Sequence, residues 1–155
     1  MNIYIACLAS YNAGILHGAW ISAPFCDDDI AQMLANSPTP GAEEWAIHDH
    51  ELGHVEANSW SLQDFRKYAE LEQEHGSDKL EVVLTLECFE NVEYSLEGLR
   101  TYDSEQEFCE EFIGEVPEHI HHYIDWSHVL HEAHSWGIAT MELNGTFYAI
   151  FPQQS

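Results

Sequence analysis

The chain has 155 residues, of which 45% are hydrophobic and 12% aromatic. A chain with this hydrophobic content can bury enough apolar area to fold, which excludes an acidic disordered chain. Its 28 Asp and Glu residues stand against four Lys and Arg, so the net charge is −24 with histidine neutral. A surface of this charge repels nucleic acid and anionic membranes and favours a basic partner.

The first third of the chain predicts a small β-rich module, residues 1–58. The stretches "NIYIACLA" and "ILHGAWISA" predict two strands, and "SYNAG" between them predicts a turn. A short helix is predicted for "DDDIAQMLANSP", with acids in its first turn and a proline after its end. The stretch "EEWAIHDHE" predicts a third strand. The start of the chain has no basic segment followed by a long apolar run, so we expect a cytoplasmic protein.

A central helical module is predicted over residues 59–102. Ser61 and Asp64 form a capping box for a helix that Gly76 ends. Two further helices are predicted for "SDKLEVVLTLECF" and "NVEYSLEGL", the second with Asn91 as its N-cap. The β-branched run in "EVVLTLE" also permits a strand.

The last module, residues 103–155, begins with an amphipathic helix in "DSEQEFCEEFIGEVPE". Ser104 and Glu107 form a capping box at its start, and Pro117 is expected to stop it. At 100° per residue, Phe108, Cys109, Phe112 and Ile113 share one face, and Glu107, Glu110 and Glu111 form an opposite ridge of carboxylates.

A second helix and a hairpin complete this module. Asp125 is predicted to cap "WSHVLHEAHSWG", whose buried stripe includes Trp136 and which Gly137 ends. Asn-Gly between the alternating runs of "MELNGTFYAIF" predicts a type I′ hairpin. The expected fold class is therefore α+β, built from three small modules.

Eleven histidines raise the alternative of a histidine-rich metal-binding or metalloenzyme domain. His128, His131 and His134 lie on one predicted helix, but they lack the i, i+4 spacing with which HExxH holds a metal beside a general base. Abundant carboxylates do not by themselves make a catalytic pair, and the chain has no nucleophile or phosphate-binding motif. We expect a protein that is not an enzyme and that needs neither metal nor cofactor.

The negative charge runs along the whole chain and is not confined to a tail. Duplex DNA carries one charge per ~1.7 Å of axis, so 24 charges correspond to roughly 40 Å of duplex. The charge therefore suits a mimic of a polyanion, although a generic acidic surface or a halophilic protein remains an alternative.

Three stretches, in this order, resemble the antirestriction proteins of the ArdA family: "IYIACLASYNAGILHGAWI", "MLANSPTPGAEEWAIHDHE", and "YIDW" followed by a terminal hairpin. The resemblance covers nearly the whole chain and is most specific in its N-terminal third. It implies an elongated dimer of three-module chains that mimics bent B-form DNA. Such proteins occupy the DNA groove of type I restriction–modification enzymes and protect incoming mobile DNA.

The resemblance and the charge together select two sets of residues. The acids expected to imitate phosphates are Asp27, Asp28, Asp29, Glu43, Glu44, Asp49, Glu51, Glu107, Glu110, Glu111, Glu115 and Glu118. The antirestriction and dimer region is expected to include Tyr123, Ile124, Asp125, Trp126, Val129 and Leu130. The expected partners are a type I restriction–modification enzyme and a second copy of the chain, with neither nucleic acid nor membrane.

Overall fold

The computed structural model describes residues 1–52 and 55–153 and has a mixed α+β fold, which confirms the predicted class. The chain divides into two compact units, Met1–Glu74 and His75–Ser155. Within the described residues, each unit contains a three-stranded antiparallel sheet. The division into three modules at residues 58 and 102 stays a prediction.

The first unit has the strand order β2-β1-β3. Its elements are β1 (Asn2–Cys7), α1 (Leu8–Asn12), β2 (Gly18–Ser22), α2 (Asp27–Ala35), β3 (Trp45–His50) and α3 (Leu62–His75). Ile3 and Ile5 of the central strand are fully buried, as expected for the inward-facing positions of a strand that packs on one face. All three predicted strands of this unit are confirmed.

The turn predicted from "SYNAG" is only partly right, because Leu8–Asn12 form the short helix α1 and the turn is confined to Ala13 and Gly14. The strand before it ends at Cys7. Ser10 of α1 is buried, and its Oγ is hydrogen-bonded to Ser37 Oγ at 2.9 Å and to Thr39 Oγ1 at 2.8 Å. These hydrogen bonds satisfy a buried hydroxyl. They join residues that are distant in the sequence, so turn propensity, which is a local property, cannot predict them.

The capping box of α3 is confirmed at both of its hydrogen bonds. Asp64 N donates to Ser61 Oγ at 3.2 Å, and Ser61 N donates to Asp64 Oδ2 at 2.9 Å. The helix buries Phe65, Tyr68 and Leu71 on one face, and Phe65 lies edge-on to the ring of Trp60.

The second unit has the strand order β4-β6-β5. Its elements are α4 (Ser77–Leu86), α5 (Val92–Glu97), β4 (Leu99–Tyr102), α6 (Glu105–Ile113), α7 (Trp126–Ser135), β5 (Ala139–Leu143) and β6 (Thr146–Ile150), with 3-10 turns at Phe89–Asn91 and Glu118–Tyr123. The stretch that permitted a strand lies in α4, where adjacent Val82 and Val83 are both fully buried. Asn91 occupies the N-cap position of α5, but its side chain makes no capping hydrogen bond.

Strand β4 was not predicted. It pairs antiparallel with β6 from Leu99 opposite Ile150 to Tyr102 opposite Phe147. The hairpin between β5 and β6 is confirmed, since Asn144 and Gly145 have φ of 51° and 82° and a type I′ turn needs positive φ at both positions.

Helices α6 and α7 contribute to one hydrophobic core with the second sheet. This core is formed by Tyr102, Phe108, Cys109, Val129, Ala133, Ile138, Phe147 and Ala149. Its composition confirms that the apolar face of α6 points inward through Phe108 and Cys109, but Phe112 is only partly buried. Ile113, predicted on the same face, is exposed.

Two helix-end predictions in this unit are wrong. Helix α6 ends at Ile113 because Gly114 adopts φ +80°, a left-handed conformation that glycine adopts without strain, so Pro117 does not stop it. Trp136 is not part of the buried stripe of α7, and 67% of it is exposed. It follows the last helical residue just before Gly137, which turns the chain with φ +87° and confirms the predicted C-terminal stop.

Candidate functional site

Every Asp and Glu of the chain is at least partly exposed, and all twelve acids predicted to imitate phosphates fall in the exposed class. The acidity is shared between the two compact units. The first unit has twelve acidic and two basic residues, and the second has sixteen acidic and two basic residues. Each unit therefore carries a large negative charge by itself.

The predicted acids of the first unit lie at three places in its fold. Asp27, Asp28 and Asp29 form the first turn of α2, where the positive end of the helix dipole favours carboxylates. Glu43 and Glu44 precede β3. Asp49 lies within β3, and Glu51, just after it, accepts hydrogen bonds from Asn2 N at 3.1 Å and Asn2 Nδ2 at 3.3 Å.

One arginine neutralises part of this unit's charge. Arg66 Nη2 donates to Asp27 Oδ1 at 2.9 Å and to the Phe25 carbonyl. Asp27 is thus tied to α3, and its net negative field is weaker than that of Asp28 or Asp29. The sequence singled out the acid but not this pairing.

In the second unit, α6 places the predicted carboxylates in three different surroundings. Ser104 Oγ accepts from Glu107 N at 3.1 Å, which confirms Ser104 as the N-cap. The reciprocal bond of the predicted capping box is displaced by one residue, because Glu107 Oε2 accepts from Asp103 N at 2.7 Å, one position before the N-cap. Glu110 Oε1 accepts from Gln106 Nε2 at 3.1 Å. The ridge therefore combines one carboxylate that holds the helix start with another that has a neutral partner.

The third carboxylate of α6, Glu111, lies 3.7 Å from Arg100 Nη1. The guanidinium of Arg100 also lies 4.5 Å from the centroid of the Phe151 ring, a cation–π distance. This approach of Arg100 to Glu111 is not predictable from sequence spacing, because Arg100 lies on β4, which pairs with the distant strand β6. The nearness of Arg100 makes Glu111 the least negative of the three ridge positions.

A cavity lies beside the C-terminal end of α6. Its volume is about 620 Å³, and it is lined by Glu110, Ile113, Gly114, Glu115, Val116, Pro117, His121 and Trp126. Two of the predicted acids, Glu110 and Glu115, thus line the same cavity, although sequence spacing gave no sign of it. Glu118 is exposed at the start of the following 3-10 turn.

The region predicted for antirestriction and dimerisation is partly buried in its own unit. Val129 belongs to the hydrophobic core, and Ile124, Trp126 and Leu130 pack against it. Asp125 Oδ1 accepts from His128 N at 3.2 Å, so the predicted N-cap of α7 is confirmed. Tyr123 is different, since 78% of it is exposed, and it is the member of this set best placed to meet another protein.

The histidines of α7 do not form a metal site. His128, His131 and His134 are all exposed, and His134 Nε2 lies 2.7 Å from Thr140 Oγ1. Across residues 1–52 and 55–153, no group of three or more His, Cys, Asp or Glu side chains is placed to hold a metal ion. The metal-binding alternative therefore gains no support. No helix among the described residues is long and apolar enough to cross a membrane.

Comparison with known proteins and protein families identifies the family of this chain. A search of curated proteins finds no match to the chain. The family model of antirestriction protein (ArdA), however, matches residues 3–145. The match spans both compact units, from the first strand to the turn of the last hairpin. The chain therefore belongs to the ArdA family of antirestriction proteins.

Proposed function

We propose that this protein inhibits type I restriction–modification enzymes by occupying their DNA-binding cleft as a mimic of duplex DNA. The observation that carries this proposal is the exposure of every predicted phosphate-imitating acid on a chain with net charge −24. A cleft that binds DNA is basic because it neutralises phosphates. Family membership supports the antirestriction role, and the charge supports the mode of action.

The distribution of charge favours a mimic over a local acidic patch. Both compact units are strongly acidic, and the total charge matches that of roughly 40 Å of duplex at one charge per ~1.7 Å. A cleft that tracks a DNA duplex meets phosphates along its whole length, so charge spread over two units suits it better than charge on one loop.

A non-catalytic mechanism follows from this proposal. An inhibitor that blocks a cleft needs complementary charge and shape but no nucleophile, general base or metal. The carboxylates considered above are exposed to solvent, whereas catalytic acids and bases are tuned by burial and close charge partners. We propose no enzymatic activity for this chain.

We also propose that the protein acts as a homodimer through its C-terminal unit. Two acidic protomers repel each other, so their contact needs apolar surface. Tyr123 and Trp136 are large, mostly exposed apolar side chains in this unit. A two-fold dimer would double the mimicked length to roughly 80 Å of duplex.

Cleavage kinetics with a purified type I enzyme test the proposal. The rate of DNA cleavage is measured at several concentrations of DNA and of this protein. Competition for one cleft predicts an apparent inhibition constant that rises in proportion to DNA concentration, as well as weaker inhibition at higher salt. An inhibition constant independent of DNA concentration would refute occupation of the cleft.

A further inference from the structure

The cavity beside α6 combines three features that favour a cation. The carboxylates of Glu110 and Glu115 line it. Ile113 and Gly114, at the C-terminal end of α6, also line it, and a helix end of this kind carries about half a negative charge. Gln106 holds one oxygen of Glu110 at 3.1 Å, so this carboxylate is partly fixed at the rim.

The remainder of the lining is apolar or aromatic. Val116, Pro117 and Trp126 contribute to it, and the ring of His121 lies edge-on to the indole at 6.0 Å between centroids. His121 Nε2 donates to the Val116 carbonyl at 3.1 Å, which fixes this wall. A hydrated metal ion gains nothing from such a lining, whereas an organic cation with a planar head and an apolar stem does.

We propose that this cavity is a binding pocket for an arginine side chain of the restriction–modification enzyme. The guanidinium would stack on Trp126 and hydrogen-bond to Glu110 and Glu115, a combination that suits arginine better than lysine because the guanidinium is planar and can bind carboxylates through two parallel hydrogen bonds. A volume of about 620 Å³ admits the side chain together with adjacent backbone. The proposal rests on the proposed function for the identity of the partner.

A second copy of this chain is a poor source of the arginine. The sequence contains two arginines, Arg66 and Arg100. Arg66 is hydrogen-bonded to Asp27 and to the Phe25 carbonyl, and Arg100 lies against Glu111 and the Phe151 ring. Each is thus engaged within its own unit. A DNA-binding cleft, by contrast, presents many arginines because they contact phosphates.

The first test uses the full-length protein without any restriction enzyme. The indole N–H signal of Trp126 is followed by NMR and assigned with Trp126→Phe, while N-acetyl-arginine amide is added up to millimolar concentrations. N-acetyl-lysine amide and N-acetyl-citrulline amide, a neutral analogue of the arginine probe, serve as controls. We expect the arginine probe to shift the signal, the lysine probe to shift it less, and the citrulline probe to leave it unchanged.

Carboxylate variants show whether the signal reports the proposed contacts. Glu110→Gln and Glu115→Gln should each weaken binding of the arginine probe about three- to fivefold, the upper part of the range for an exposed ion pair. Equal shifts with arginine and citrulline, or unchanged affinity in both variants, would overturn the pocket. A Trp126 signal that moves on dilution of the protein and not with arginine would mean that a second copy fills the cavity, which also overturns the proposal.

The second test asks whether the restriction enzyme uses the pocket. The double variant Glu110→Gln/Glu115→Gln is compared with Glu132→Gln/Glu142→Gln, which removes two exposed charges of the same unit outside the cavity. We expect the pocket variant to lose inhibition several-fold more than the control. Equal losses would refute the arginine pocket and leave the DNA mimic standing. A wild-type protein that binds the probe but does not inhibit would instead refute the proposed function.

Discussion

Glu107, Glu110 and Glu111, on the exposed side of α6, offer a test of how a distributed mimic loses activity. Each is changed to Gln singly, and then all three are changed together. Glu107 lies about 4.5–6 Å along the helix axis from the other two, so one basic surface can meet all three. Gln keeps the side-chain length, and it can accept the capping hydrogen bond from Asp103 N that Glu107 now accepts. The substitutions therefore remove charge with little change to the fold.

The expected losses differ between the positions because their surroundings differ. An exposed charge contributes about 1 kcal/mol or less, which corresponds to about fivefold or less in the inhibition constant. Glu110 has a neutral partner in Gln106, whereas Glu111 lies 3.7 Å from Arg100. We therefore expect Glu110→Gln to weaken inhibition more than Glu111→Gln. The triple variant should lose up to about 3 kcal/mol of binding free energy, which corresponds to roughly a 150-fold weaker inhibition constant. The loss should be smaller than this sum to the extent that the three neighbouring carboxylates repel one another.

The assay is inhibition of DNA cleavage by a purified type I enzyme at about 0.05 M and about 0.2 M salt, where counterion effects are large. The triple variant should show a smaller dependence on salt than the wild type, because fewer of the enzyme's bound anions are released. His131→Ala, an exposed position outside the ridge, is the matched control and should inhibit normally. Complete loss of inhibition from any one of these substitutions, independent of salt, would refute a distributed mimic and indicate a single essential site.

Three further predictions concern stability and assembly. Raising salt from very low levels to about 0.15 M should raise the melting temperature, because ions at that strength screen charges beyond about 8 Å and the chain has a net charge of −24. A flat or falling melting temperature would contradict this, and folding only at molar salt would favour a halophilic protein. The double variant Tyr123→Ser/Trp136→Ser should sediment as a monomer and remain folded. The control Leu16→Ser, at a position 88% exposed in the first unit, should remain a dimer. A wild-type protein that sediments as a monomer at micromolar concentration would refute the proposed dimer. Burial raises the pKa of both Tyr102 and Cys109, so the folded state holds these protons more tightly than the unfolded state and stability should fall as pH rises above about 9. Tyr102→Phe should reduce that fall when thermal unfolding is compared at about pH 7 and about pH 10; an unchanged fall would show that Tyr102 does not contribute to it.

Local signals predicted much of the fold. The side chains of Ser61, Ser104 and Asp125 cap their helices as expected, since each accepts from a backbone N–H three positions later. The Asn-Gly turn was equally predictable, because the positive φ it requires is a property of those two residues. These features need no information from distant parts of the chain.

The wrong or missing predictions share a dependence on distant contacts or on competing local signals. Strand β4 exists through its pairing with β6, which lies more than forty residues away in the sequence. Ser10 of helix α1 is hydrogen-bonded to Ser37 and Thr39, which lie 27 and 29 residues away in the sequence. Two possible stop signals lie near the end of helix α6, and the helix ends at the nearer one, because Gly114 is its C-cap and Pro117 lies three residues further on.

The candidate site was predictable in kind but not in arrangement. Charge composition selected the acids, and their exposure follows from the cost of burying an unpaired carboxylate. Composition did not show that Arg66 would hold Asp27, that Arg100 would approach Glu111, or that Trp126 would line a cavity with two of the acids. Those relations depend on tertiary structure.

Displacement of bound DNA shows whether this protein occupies the DNA-binding cleft. A fluorescently labelled duplex containing the recognition site is bound to a purified type I enzyme, and its anisotropy is followed as this protein is added. We expect the anisotropy to fall to the value of free duplex, and we expect that less protein is needed when the duplex concentration is lowered, because both ligands compete for one basic cleft. A duplex that stays bound while cleavage is inhibited would contradict DNA mimicry, since the protein would then act at a site other than the DNA-binding cleft.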